Sequence, residues 1–246
     1  LKKSSLVGRI LGGLGVVYVE LSQYKTGIEY FERALSVFRE NGELNWEGPT
    51  LGSLGSAYKN LGNYSVALNY HNQHLQIAQK IGNFTAQAQA FHNLGATYVG
   101  LNQISAAEEC YTKAINLYRE QHNLREEAVS LVGLSRVYHL MGKQETAVEA
   151  SQQGLMIFEH LGDQIGVSNA LSHLGEVYLT TGKSCLAILC LDRSIKIKDD
   201  VGQTLQKGRA INQIGTAYQQ LGRYDEAAAR HEEALRVAQA IQDRTG

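Results

Sequence analysis

The sequence predicts an all-α protein, a solenoid of six tandem antiparallel helix pairs. Three observations lead there: a motif that recurs every forty residues, a turn signal after each copy, and a single proline in 246 residues. A fixed period between about 20 and 50 residues is the mark of a repeat architecture. Proline is the residue that helix interiors tolerate least, so its near absence permits long helices almost everywhere.

The motif is an apolar residue, a small residue and a tyrosine: Leu14-Gly15-Tyr18, Leu54-Gly55-Tyr58, Leu94-Gly95-Tyr98, Leu134-Ser135-Tyr138, Leu174-Gly175-Tyr178 and Ile214-Gly215-Tyr218. This is the first helix of each pair, helix A. Three or four residues past each tyrosine come Leu21-Ser22, Leu61-Gly62, Leu101-Asn102, Met141-Gly142, Thr181-Gly182 and Leu221-Gly222. Glycine and asparagine accept the left-handed conformation that closes a helix. A small residue follows at Gly27, Ala67, Ala107, Ala147, Ala187 and Ala227, with an aliphatic one eight positions later. That spacing marks helix B. Breaks at Gly42, Gly82, Asn123, Gly162 and Gly202 then reset the chain. The repeats fall at about 4–43, 44–83, 84–123, 124–163, 164–203 and 204–243 of one solenoid domain covering 1–246.

Glycine within a helix costs about 1 kcal/mol relative to alanine. Five glycines and a serine at one register therefore require a close approach of helix A to helix B. The tyrosines read as seam-packing rings whose hydroxyls find partners. Gly8, Gly12, Gly13 and Gly15 load the first helix with helical penalties, which predicts fraying there or an upstream repeat. The start at Leu1 and the position of both ends near repeat edges predict a piece of something longer.

The Leu-Gly-x-x-Tyr and alanine columns resemble the tetratricopeptide repeat along essentially the whole chain. Two features depart from the common pattern: the period exceeds thirty-four residues, and no proline ends helix B. Asn93 to Tyr98 and Ala67 to His71 resemble the long repeats of Pins/LGN-type adaptors. The resemblance implies a right-handed superhelix whose helices A line a peptide-binding groove. Carried onto this chain, the groove positions are Arg9, Val16, Glu20, Gly52, Ser56, Lys59, Asn60, His92 and Asn93, then Arg136, His139, Ser172, His173, Glu176, Arg209, Asn212 and Gln213. Arginine, lysine and histidine outnumber Glu20 and Glu176 among them, so the expected guest is an extended, acidic-polar segment of a partner protein. The family's carboxylate clamp is matched only at Asn93, so a chaperone C-terminus is not the expected partner.

Enzyme signatures are missing: the sequence has no phosphate loop, no nucleophile elbow and no His-Glu-x-x-His pair. His71 and His74 can share a helical face, but no third ligand stands near them in sequence. The reading is a non-catalytic module without metal or cofactor. Lys plus Arg number 23 against 24 Asp plus Glu, which provides no global field for nucleic acid. No apolar run is long enough for membrane insertion, and three cysteines without CxxC spacing fit a cytoplasmic protein. Two alternatives stand beside the scaffold: a sensor arm of a larger signalling protein, and end-to-end self-association through the apolar end of repeat 1 or repeat 6, with repeat 1 favoured because helix B of repeat 6 is polar from Asp225 to Glu233.

Overall fold

A computed structural model describes residues 4–200 and 204–245, and among these lie twelve helices. The chain divides into two compact units, one up to Asn123 and one from Leu124 onward. The first holds α1 (Ser5–Glu20), α2 (Tyr24–Asn41), α3 (Leu44–Asn60), α4 (Tyr64–Lys80), α5 (Phe84–Gly100) and α6 (Ile104–Glu120). The second holds α7 (Leu124–Leu140), α8 (Gln144–Leu161), α9 (Gln164–Thr180), α10 (Ser184–Asp200), α11 (Thr204–Gln220) and α12 (Tyr224–Thr245). In each unit a helix A packs most closely on its own helix B, and the second and third helices A pack next on the helix B before them and lightly on the preceding helix A.

The predicted turns between A and B all have a left-handed residue, with φ of 60° at Ser22, 79° at Gly62, 58° at Asn102, 75° at Gly142, 70° at Gly182 and 72° at Gly222. The residue after each donates its N–H back to the carbonyl of the motif tyrosine, from Gln23 to Tyr18 at 2.8 Å through Arg223 to Tyr218 at 2.9 Å. This six-to-one closure caps the orphan carbonyls of the helix end. Helix B ends the same way at Gly42, Gly82 and Gly162. The third break is one residue earlier than the sequence suggests: His122, not Asn123, takes the left-handed conformation, with φ 55°. The forty-residue register dictates that position even though asparagine tolerates it better than histidine. The break expected at Gly202 lies outside the described residues.

The glycine column sits where helix B comes closest. A Cβ at Gly15 would lie 2.6 Å from the Phe31 ring, at Gly55 2.5 Å from His71, at Gly95 2.9 Å from Tyr111, at Gly175 2.6 Å from Leu191, and at Gly215 2.7 Å from His231. Every partner is sixteen residues downstream. In repeat 4 the same register pairs Ser135 with Ser151, so the one residue with a side chain on helix A faces a small one on helix B. Ser135 Oγ donates to the Ala147 carbonyl at 2.5 Å, which satisfies its hydroxyl. The apolar column is buried at Leu54, Leu94, Leu134, Leu174 and Ile214, while Leu14 remains 39% exposed.

His122 is exposed and carries a Cβ in a conformation that costs L-residues about 1–2 kcal/mol. His122→Gly is therefore expected to raise stability by about 1 kcal/mol. Urea unfolding checks this; a lower midpoint would contradict it.

Candidate functional site

The helices A carry the predicted positions, of which Gly52 and His173 are buried, and each unit arranges them separately. In the first unit a cavity of about 340 Å³ opens across α1, α3 and α5. Val16 and Glu20 form one wall, Gly52 and Ser56 line the middle, and Gln89 and Asn93 form the other wall, with the His74 ring reaching in beside Gly52. Glycine at 52 leaves the ring its room, since a Cβ there would lie 2.9 Å from His74 Nδ1.

Lys59 and Asn60 close α3, with Asn60 exposed and Lys59 half-buried. Burial pushes the Lys59 ammonium below its usual range, and it has no carboxylate partner among the described residues. His92 packs edge-on to Tyr111 with ring centroids 5.3 Å apart. Burial, and then the charge of Lys59, lowers His92 to about 4. Histidine here is thus a neutral polar group at pH 7. Arg9 stands apart, its guanidinium 4.9 Å over the Trp46 ring.

In the second unit His139 and His173 meet edge to face at 6.1 Å, and His173 Nδ1 is 3.6 Å from the Glu176 carboxylate. The Glu176 carboxyl is held below its usual range by His173 first, against the opposing pull of burial, and further by the charges of His139 and Arg136. These four residues form one cluster. Arg209 and Asn212 line a second cavity of about 410 Å³ between α11 and α12, where Asn212 Oδ1 lies 2.9 Å from His231 Nδ1.

The sequence profile of the MalT-like TPR region matches residues 8–193, and a further tetratricopeptide-repeat profile matches 166–240. This chain belongs to the MalT-like TPR family. No curated protein matches this MalT-like TPR chain in sequence. Among solved structures it is similar to aspartyl phosphate phosphatase F from Bacillus subtilis, with 16% identity, a TM-score of 0.78, and coverage of 98% of this chain and 62% of that one. A Rap protein complexed with Competence and Sporulation Factor aligns at 15% identity and TM-score 0.74, covering 97% of this chain and 76% of that one. A STAND signal-transduction ATPase with a tetratricopeptide repeat sensor, from Pyrococcus horikoshii, aligns at 16% identity and TM-score 0.78, covering 94% of this chain but only 36% of that one. At these identities the likeness is one of fold.

Within this MalT-like TPR chain, His71 and His74 are core residues, 0% and 1% exposed, each seated in the notch of a glycine. Their ring nitrogens have no hydrogen-bond partner among the described residues. Burial lowers His71 to about 3, helped by the charges of Lys59, His74 and His92, and lowers His74 to about 4. A helical-face argument finds such a pair but not its burial. Sequence reasoning also passed over Lys198, which occupies a register held elsewhere by Phe38, Ala78, Tyr118, Phe158 and Ala238. A charge in that apolar column was the available signal.

A histidine whose folded pKa lies below its unfolded value of about 6.5 stays neutral in the fold while the unfolded chain takes up the proton. Stability is therefore complete above that pH and falls as pH drops through 6.5 toward 4, with up to three protons taken up on unfolding through His71, His74 and His92. Replacing His71 with the phenylalanine of repeat 1 removes one of them. His71→Phe should cut the pH slope of unfolding free energy by about 1.4 kcal/mol per unit between pH 6 and 5. An unchanged slope in urea unfolding would contradict this.

Proposed function

We propose that this chain is a non-catalytic protein-interaction scaffold whose helix A face holds an extended, acidic-polar segment of a partner protein. The observation that carries the reading is the second-unit cluster of Arg136, His139, His173 and Glu176. Arg136, His139 and His173, three basic side chains, lie around the single carboxylate of Glu176. Asn93 in the first-unit cavity adds amide groups suited to a peptide backbone. A Rap protein of similar fold is complexed with Competence and Sporulation Factor, which supports a binding role for such a scaffold.

A second reading is favoured by one specific alignment. The Pyrococcus horikoshii ATPase is matched over only 36% of its length by nearly all of this chain, and its repeats are described as a sensor. The same face then captures a segment on behalf of a larger signalling protein.

The test is binding of fluorescent acidic, basic and neutral peptides at low and physiological salt. Acidic peptides are expected to bind, more weakly as salt rises, because exposed charges are screened beyond about 8 Å at physiological ionic strength. Arg136→Glu/Arg209→Glu should weaken them at least tenfold and leave the unfolding midpoint in place. Equal capture by the double variant, or preference for basic peptides, would overturn the proposal.

A further inference from the structure

In repeat 5, four registers turn polar together. Ser168 and Lys198 stand where the other repeats carry glycine, alanine or an aromatic ring, Ser194 where four of the other five carry alanine or glycine, and Ser172 where they carry Gly12, Gly52, His92, Val132 and Asn212. Lys198 is 2% exposed, and its ammonium donates to Ser168 Oγ at 2.9 Å, Ser172 Oγ at 2.6 Å and Ser194 Oγ at 2.5 Å. All three N–H bonds are thereby used, but a hydroxyl brings no charge. Among the described residues no carboxylate pairs with Lys198, so the interior of repeat 5 holds an uncompensated cation. Burial lowers this ammonium to about 8, which leaves it mostly protonated at pH 7.

The three serines differ in their exposure. Ser194 Oγ donates to the Ser168 carbonyl at 2.9 Å, and Ser168, like Ser194, is fully buried. Ser172 is the one serine of the three with exposed surface, and it lies on the helix A face. Its oxygen already accepts from Lys198, so its proton is free for Ser194 Oγ, 2.8 Å away, or for a group outside. The 120-residue offset between units also puts Ser172 at the register of Gly52, with Arg136 at that of Val16 and Arg209 at that of Gln89, three positions of the first-unit cavity.

We propose that Ser172, with Lys198 behind it, is a carboxylate-holding position on the helix A face of repeat 5. The inference rests on the acidic-segment reading and names the point where an Asp or Glu side chain docks. A phosphate dianion fits less well: Ser172 lies in the middle of α9 and offers one O–H rather than a fork of donors.

Lysine-labelled protein is titrated with sodium acetate, and separately with sodium phosphate, against sodium chloride at constant ionic strength. The Lys198 side-chain NMR signals and their pH midpoint are followed. Acetate should shift them saturably and raise the midpoint, Ser172→Ala should abolish both effects, and phosphate should give no saturable shift. In parallel, Lys198→Met should weaken an Asp-bearing peptide at least tenfold and its Asn counterpart hardly at all. Methionine suits a register that other repeats fill with aromatic rings or alanine, and Ser172→Ala serves the same comparison should that variant not fold. Lys198 signals indifferent to acetate, or saturated by phosphate at lower concentration, would overturn the proposal. Saturation by acetate with no peptide captured would uphold the position and sink the peptide reading instead.

Discussion

The contact on which the repeats depend is that between the small residue of helix A and the side chain sixteen positions on. A helix pair closed around Phe31, His71, Tyr111, Leu191 or His231 has no room for a Cβ opposite. Roughly 1 kcal/mol of helix propensity is given up at each glycine, and the buried contact offsets it. Once the pair is closed, the following turn has to start at the same residue in every repeat. The tyrosine carbonyl, the left-handed residue and the start of helix B therefore recur without slippage through all six copies.

Such a scaffold leaves its chemistry to departures from the shared register. The buried side of the A–B seam holds two histidines in repeat 2, a pair of serines in repeat 4 and a lysine among serines in repeat 5. His71 and His74 have their rings in glycine notches without hydrogen-bond partners among the described residues, a stability cost that grows in acid. Lys198 is better solvated by protein, since three hydroxyls take its three donors, yet its charge remains. The histidine and lysine departures adjoin the helix A face, through Gly52 in one unit and Ser172 in the other.

Helix pairs, six A–B turns and the close-packed glycine column were legible in the sequence because each rests on residues within about twenty positions of one another, and the forty-residue period because six copies repeat it in register. The break at His122 was misplaced by one residue because residue type, taken alone, favours Asn123. The charge state of His92 could not be read either: its neutrality comes from burial and from Lys59 on another helix. Lys198 meets Ser168 thirty residues away, a separation at which no local pattern signals contact. Resemblance marked Arg136, His139, His173 and Glu176 as sharing a face; that they form one electrostatic cluster is known only from the folded coordinates.

Repeat 4 offers the most direct test of the central contact, because Ser135 and Ser151 there replace the glycine and the bulky partner. Ser151→Leu alone should destabilise the protein by about 1–3 kcal/mol, the usual cost of overpacking, because the leucine has to share its space with the Ser135 side chain. Adding Ser135→Gly recreates the Gly175–Leu191 arrangement of the next repeat and should recover more than half of that loss in urea unfolding. Additive losses in the double variant would contradict the account, since the two positions would then not oppose each other across the seam.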